Sequence, residues 1–225
     1  MRTLLIAALI CTPLMAESRS EPAKRLEESA AVFSEIMSAP DKGIPDELLE
    51  KAQCIVIVPG MKKGAFIVGG QYGKGYLICR RSNGGGWSAP GTVRMEGGSV
   101  GFQIGGSETD VVMLVMNHRG EDKLLSSQFT LGAEGEVAAG PVGRSSTAET
   151  DALMRAEILS WSRSRGAFAG IALKGATLRE DMEENEVLYG KRLTNREIVT
   201  TGIAPPPPAA KLLSLLNRYH SRESD

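Results

Sequence analysis

Histidine is nearly absent from this chain, with 2 residues in 225, and cysteine is scarce, with 3. No H-x-x-x-H, C-x-x-C or acidic calcium-loop spacing occurs, so no metal is expected. His118 falls in the turn signal Asn117-His118-Arg119-Gly120 and reads as an exposed loop residue. An excess of charge is missing too: 26 basic residues against 27 acidic ones leave a net charge of −1. Without a basic field, nucleic acid is excluded as a general ligand. No apolar run is long enough to stay in a bilayer, so the mature chain is expected to have no transmembrane segment. No cofactor is implied either. Gly69-Gly70-Gln71-Tyr72-Gly73-Lys74-Gly75 lacks the G-x-x-x-x-G-K-[ST] spacing and no helix follows it, so it reads as a hairpin and not a phosphate loop.

Glycine is what the chain has in excess, with 26 residues, while 42% hydrophobic and 24% charged residues are ordinary globular figures. The length suits one domain with a substantial core. Most glycines fall between Gly60 and Gly190 among apolar residues, so they belong to the folded part. The N-terminus reads as an export signal: Met1-Arg2, an apolar run Thr3 to Ile10, Pro13, then Leu14-Met15-Ala16 before Glu17. Cleavage after Ala16 is expected. Cys11 offers a rival reading as a lipidated cysteine, against which stands Ile10 where a small residue is wanted. The resulting plan is a signal peptide over 1–16, a domain over 17–203, and a Pro-rich spacer with an amphipathic helix over 204–225, in a protein that is periplasmic or secreted. Cys54 and Cys79 lie in apolar runs and read as buried free thiols, a disulfide being the alternative.

Three-four spacing of Leu26, Ala30, Phe33, Ile36 and Met37 predicts a helix over 22–38, and Pro45 to Lys51 a second, short one. From Cys54 the period changes. Short β-rich runs at 54–58, 65–69, 75–80, 92–94, 99–104, 110–116, 127–131 and 136–139 alternate with glycine-containing turns. Glycines inside strands permit sharp curvature, so the expected core is a strongly curved antiparallel sheet or barrel in an α+β fold. Helices are predicted at Ala148 to Arg163 and Thr177 to Tyr189, with an apolar strand at Phe168 to Leu173 between them. Pro205 to Pro208 form a stiff spacer. Leu212, Leu215, Leu216 and Tyr219 then mark an amphipathic helix.

Gly97-Gly98-Ser99-Val100-Gly101 fits G-x-S-x-G, but a nucleophile elbow needs a helix after the serine, and a strand pattern follows. Asp110 and His118 lie too close in sequence to complete the usual triad, so a Gly-rich strand entry is the better reading. Asp110 reads as a turn anchor. Basic residues cluster at predicted turns: Lys62, Lys63, Lys74, Arg80 and Arg81. With Tyr72 and Trp87 nearby, such clusters suit anionic head groups, although ordinary solvated turn charge explains them as well.

Taken in order, Ile55-Val-Ile-Val-Pro-Gly-Met-Lys-Lys-Gly-Ala-Phe-Ile-Val-Gly-Gly-Gln, Gly86-Trp-Ser-Ala-Pro, Gly97-Gly-Ser-Val-Gly-Phe-Gln-Ile-Gly-Gly, Thr109-Asp-Val-Val-Met-Leu-Val-Met-Asn, Gly140-Pro-Val-Gly-Arg, Trp161-Ser-Arg-Ser-Arg-Gly-Ala-Phe-Ala-Gly-Ile and Leu188-Tyr-Gly resemble the SYLF domain over roughly 22–203. The resemblance implies a non-enzymatic module that binds phosphoinositides and related anionic phospholipids, and actin filaments in yeast relatives. The function expected is therefore binding of anionic phospholipid membranes, with Lys62, Lys63, Lys74, Arg80 and Arg81 as ligand-binding residues. The alternative is a protein-binding scaffold, actin-binding-like, that meets its partner through the C-terminal amphipathic helix.

Overall fold

A computed structural model describes residues 14–39, 43–65, 68–82, 84–100, 105–141, 156–164, 167–170 and 173–220. The apolar run Thr3 to Ile10 and Cys11 lie outside these residues. Helix α1 spans Leu14–Ser38 and α2 Asp46–Lys51. Four long strands follow: β1 Cys54–Ala65, β2 Val68–Cys79, β3 Gly91–Val100 and β4 Gly105–Val115. After α3 (His118–Leu124) come β5 Gln128–Thr130, β6 Val137–Ala139, β7 Ile158–Ser164, β8 Ala167–Gly170 and β9 Thr177–Glu180. Three helices close the chain, α4 Met182–Tyr189, α5 Asn195–Thr200 and, after a short 3-10 turn Pro207–Ala209, α6 Ala210–His220. The strands form one curled sheet in the order β5-β9-β3-β2-β1-β4-β7-β6, with β8 on β7. This half-barrel flanked by helices is the α+β architecture expected from the glycine-rich strand pattern.

Around Cys54–Val58 the sheet is buried on both faces, which is why β1 opens as an unbroken apolar run and not as an alternation. Ile55, Ile57, Tyr76, Ile78, Val112, Leu114 and Trp161 point to a core closed by Leu26, Phe33 and Ile36 of α1 and Leu212 and Leu216 of α6. The alternate residues Val56, Val58, Leu77, Val93, Met95, Val111 and Met113 point into the curl, against Phe129 and Leu178 of β5 and β9. The Phe33 and Tyr219 rings meet edge to face at 5.8 Å. The apolar stripe of α6 is therefore part of the domain's own core.

Residues 158–163, read as the end of a helix, form β7 instead. Antiparallel pairing with β4 from Val115↔Ile158 to Asp110↔Arg163, and parallel pairing with β6, override the helical spacing of this segment. Residues 148–155 of that expected helix lie outside the described residues. The expected helix 177–189 divides into β9 and α4, because Thr177–Glu180 pair with both β3 and β5. Cys54 and Cys79 are joined in a disulfide and are not free thiols. They stand opposite each other in the β1–β2 register, a proximity that local composition does not contain. Helix α1, described from Leu14 on, runs without a break past Ala16, the expected cleavage point.

Candidate binding surfaces

The five basic residues singled out above are distributed along the β1–β2 hairpin, not gathered into one patch. Lys62 and Lys63 lie beyond the β1 bulge near the hairpin tip, whereas Arg80 and Arg81 follow Cys79 at the other end. At about 3.3 Å per strand residue, roughly 25 Å separates the two groups. Lys74 lies between them and is engaged within the fold: its Nζ is 2.9 Å from Glu184 and 3.0 Å from Asp181. Glu184 also accepts from Arg25 at 2.6 Å, so Lys74 helps clamp α1, β2 and α4 together. Burial works to lower the Lys74 ammonium pKa, and the two carboxylates more than reverse it, leaving the pKa raised. Arg80 stacks 4.6 Å over the Trp87 ring, while its Nε donates to the Ala52 carbonyl at 2.8 Å and its Nη2 to that of Leu49 at 2.9 Å. These contacts tie α2 to the sheet. Arg81 lines a small pocket beside α5.

Lys62 is exposed, and it stands in register with Tyr72 of β2 and Glu108 of β4. Tyr72 is 46% exposed, which makes it the exposed large hydrophobic residue among the described residues. Two residues further along the strands, Gly106, Gly64, Gly70 and Gly98 face one another in a single row across β4, β1, β2 and β3. A Cβ added at Gly70 or Gly98 would meet nothing. At Gly70 and Gly98 this row leaves backbone uncovered, close to Lys62, Lys63 and Tyr72.

A second surface feature is a cleft of about 540 Å³ between α1 and the β1 bulge. Glu28 and Val32 of α1, Pro59 and Gly60, Glu108 and Asp110, and Arg163 line it. Gly60 has φ +57, a left-handed conformation that favours glycine, and its N–H donates to Asp110 Oδ1 at 2.9 Å. Arg163 donates from Nε to Asp110 Oδ2 at 2.6 Å and also pairs with Glu35. Burial pushes the Asp110 carboxyl up, the Gly60 N–H opposes this, and the nearby Glu108 charge adds to it. Asp110 is thus the turn anchor expected from the sequence, and three carboxylates against one guanidinium make the cleft acidic.

The serine-hydrolase constellation is not assembled. The backbone of Ser99 pairs with Gly69 at the bare end of the sheet, Asp110 is engaged by Arg163, and His118 opens α3 beyond Val115 at the opposite end. The His118 side chain is 82% exposed and pairs with Glu121 at 2.9 Å. Cys54, Cys79 and Glu121 are the one group of metal-type ligand atoms among the described residues, and both sulfurs are held in the disulfide. The sequence reading also missed a buried network. Asn185 Oδ1 accepts from Thr92 N at 2.9 Å, Asn185 Nδ2 donates to Asn195 Oδ1 at 2.9 Å, and Asn195 Nδ2 donates to Thr92 O at 3.0 Å. It docks α4 and α5 on β3. Thr194 and Glu197 form a capping box, so the T-x-x-E spacing was the available signal for α5.

The profile described as "Ysc84: Las17-binding protein actin regulator" matches residues 96–219. The chain belongs to this family. Similar proteins include LAS seventeen-binding protein 3 of Saccharomyces cerevisiae, 32% identical over 91% of this chain and 44% of the relative. The SH3 domain-containing YSC84-like protein 1 of Xenopus laevis is 34% identical over 92% of this chain and 61% of its own length. The chain thus spans about half the length of these curated relatives. The SYLF resemblance is shown, and the family is one of actin regulators by its description. The expectation of an exported, periplasmic or secreted protein is overturned: the relatives that match nine-tenths of the chain are yeast and vertebrate proteins named for Las17 binding and SH3 domains, not exported ones. A short apolar N-terminal run carries less information than a match over the whole domain.

Proposed function

We propose that this chain is a non-enzymatic protein-binding domain that engages a component of the actin machinery, a Las17-like regulator or the actin filament. The observation that carries the reading is the match to Las17-binding relatives across 91% of the chain, which covers the curled sheet and its helices alike. The apolar stripe of the C-terminal helix is not free for a partner, since Leu212 and Leu216 are fully buried. Among the described residues, two exposed surfaces suit a partner: the acidic cleft at Glu28 and Glu108 and the sheet end at Gly70, Gly98 and Tyr72. Co-sedimentation with actin filaments and pull-down of a Las17 fragment test this directly. Retention in either assay, reduced at least tenfold by the double change Glu28→Lys and Glu108→Lys or by Tyr72→Ala, is expected. Absence of binding in both assays overturns the reading.

A second reading, binding of anionic phospholipid, has its own support in Lys62, Lys63 and Tyr72, where cations border an exposed aromatic. Lys74 and Arg80 are engaged within the fold and contribute little to it. Salt-sensitive co-sedimentation with acidic vesicles, lost in Lys62→Glu with Lys63→Glu, is its expected signature. Unchanged binding in that variant removes it.

A further inference from the structure

Pro205, Pro206, Pro207 and Pro208 stand in a row between α5 and α6. A proline carries no backbone N–H and fixes its φ near −65°, so the run offers acceptors and no donors. Pro206 has φ −68 and ψ 149, which is polyproline II backbone. Pro207–Ala209 then form the 3-10 turn that leads into α6. Both conformations repeat every three residues, and the burial of the segment follows that period. Ile203 and Pro206 are half-buried and Ala209 is fully buried. This edge lies on the domain, where the turn packs against α1. Ala204 and Pro207 are exposed, and so is Pro205, whose edge continues through the half-buried Pro208. The solvent side therefore carries two x-Pro pairs, Ala204-Pro205 and Pro207-Pro208, with Pro206 turned away between them. The strip is held from both ends. Upstream, Ile198 and Val199 of α5 are buried, and Gly202 with φ +70 turns the chain out of that helix. Downstream, Leu212 of α6 is fully buried. The Pro206 carbonyl accepts from the Ala209 N–H at 2.9 Å. Among the described residues, no group donates to the Ala204 or Pro205 carbonyl, so two acceptors remain for a partner.

We infer that Ala204 to Pro208 is a docking strip for a partner domain whose groove is lined by aromatic side chains and reads polyproline II backbone. Aromatic rings pack on the proline rings, and a Trp N–H or Tyr O–H of the groove answers the two remaining carbonyls. The strip is already ordered and anchored, so little conformational entropy is lost on docking. No cation flanks the P-x-x-P spacing of Pro205 and Pro208: three residues before Pro205 stands Gly202, and two after Pro208 stands Ala210. The groove that fits thus reads prolines alone and needs no acidic pocket beside it. None of these residues lines the acidic cleft or belongs to the glycine row. The strip therefore stands independently of the contact proposed above, and failure of either leaves the other in place.

Titration of the intact chain with a purified WW domain and with a purified EVH1 domain, both of which hold polyproline II segments in aromatic grooves, tests the strip. Saturable shifts of the Gly202, Ala204, Ala209 and Ala210 amide resonances are expected with at least one of the two, at a dissociation constant of roughly 0.1–1 mM. Pro205→Ala together with Pro208→Ala should weaken binding at least tenfold, while Arg218→Gln, a change at an exposed position of α6, should leave it unaltered. A proline decamer should displace the bound domain, and a Gly-Ser peptide of the same length should not. An SH3 domain that requires a flanking arginine should bind at least tenfold more weakly. The decamer competition is read on the unmodified chain, so it is decisive even where the double variant folds poorly. Absence of saturable shifts with both domains, binding that the decamer does not displace, equal affinity in a folded double variant, or tighter binding of the SH3 domain overturns the inference.

Discussion

At one end of the β1–β2 hairpin every residue from Cys54 to Val58 is fully buried, while at the other Lys62 and Tyr72 are exposed and glycines face one another across four strands. Both ends are rich in glycine, yet the residue does opposite things in them. At Gly75 a Cβ would run into the Ile57 carbonyl and the Val58 Cα, so glycine there lets β1 and β2 pack tightly. At Gly70 a Cβ would meet open space, so glycine there leaves backbone bare. One composition thus serves close packing where the sheet is covered and an uncluttered surface where it is not.

The largest expected effect lies at the covered end. Replacing Cys54 and Cys79 together by Ser removes the crosslink over a separation of 25 residues and should cost about 2–4 kcal/mol, read by urea unfolding under non-reducing conditions. A loss below about 0.5 kcal/mol would mean that the packing of this end does not depend on the crosslink. Next comes Gly75→Ala, which should destabilise by about 1–3 kcal/mol through overpacking against backbone that cannot move aside. A neutral Gly75→Ala would erase the contrast between the two ends.

Lys74 marks the boundary between them, and its effect is smaller. Its raised folded pKa means that its contribution is fully present below the unfolded pKa of about 10.4 and is lost as pH rises through the folded value. Chemical denaturation of the wild type should weaken through this window. Lys74→Met should be destabilised by about 1 kcal/mol at pH 7 and show less of the alkaline decline. An identical decline in both proteins would show that Lys74 is not its source. The smallest effect is expected for Gly70→Ala, within about 0.5 kcal/mol of the wild type. A cost above about 1 kcal/mol would show that the bare end is packed after all.

Much of the architecture was legible in the residues. The change of period at Cys54 located the start of the sheet, the helical spacing of Leu26, Phe33 and Ile36 located α1, and the stripe Leu212, Leu216, Tyr219 located α6. What local pattern could not supply was pairing. Ile158 to Arg163 carry helical spacing and still form a strand, because β4 and β6 lie on either side. The candidate site was less legible for a related reason. Turn positions identified Lys62, Lys63, Lys74, Arg80 and Arg81 as one group, but only the tertiary fold determines which cations face solvent and which are bound by Glu184 or stacked on Trp87.

By itself the amino-acid sequence determined the fold class, the family and the place of glycine at the centre of the sheet, because periodicity and residue size act through near neighbours along the chain. The tertiary structure alone decided which glycines are packed and which are bare, that Cys54 meets Cys79, and that α6 belongs to the core. Those outcomes depend on residues tens of positions apart being brought within contact distance, and contact energies act only over that distance.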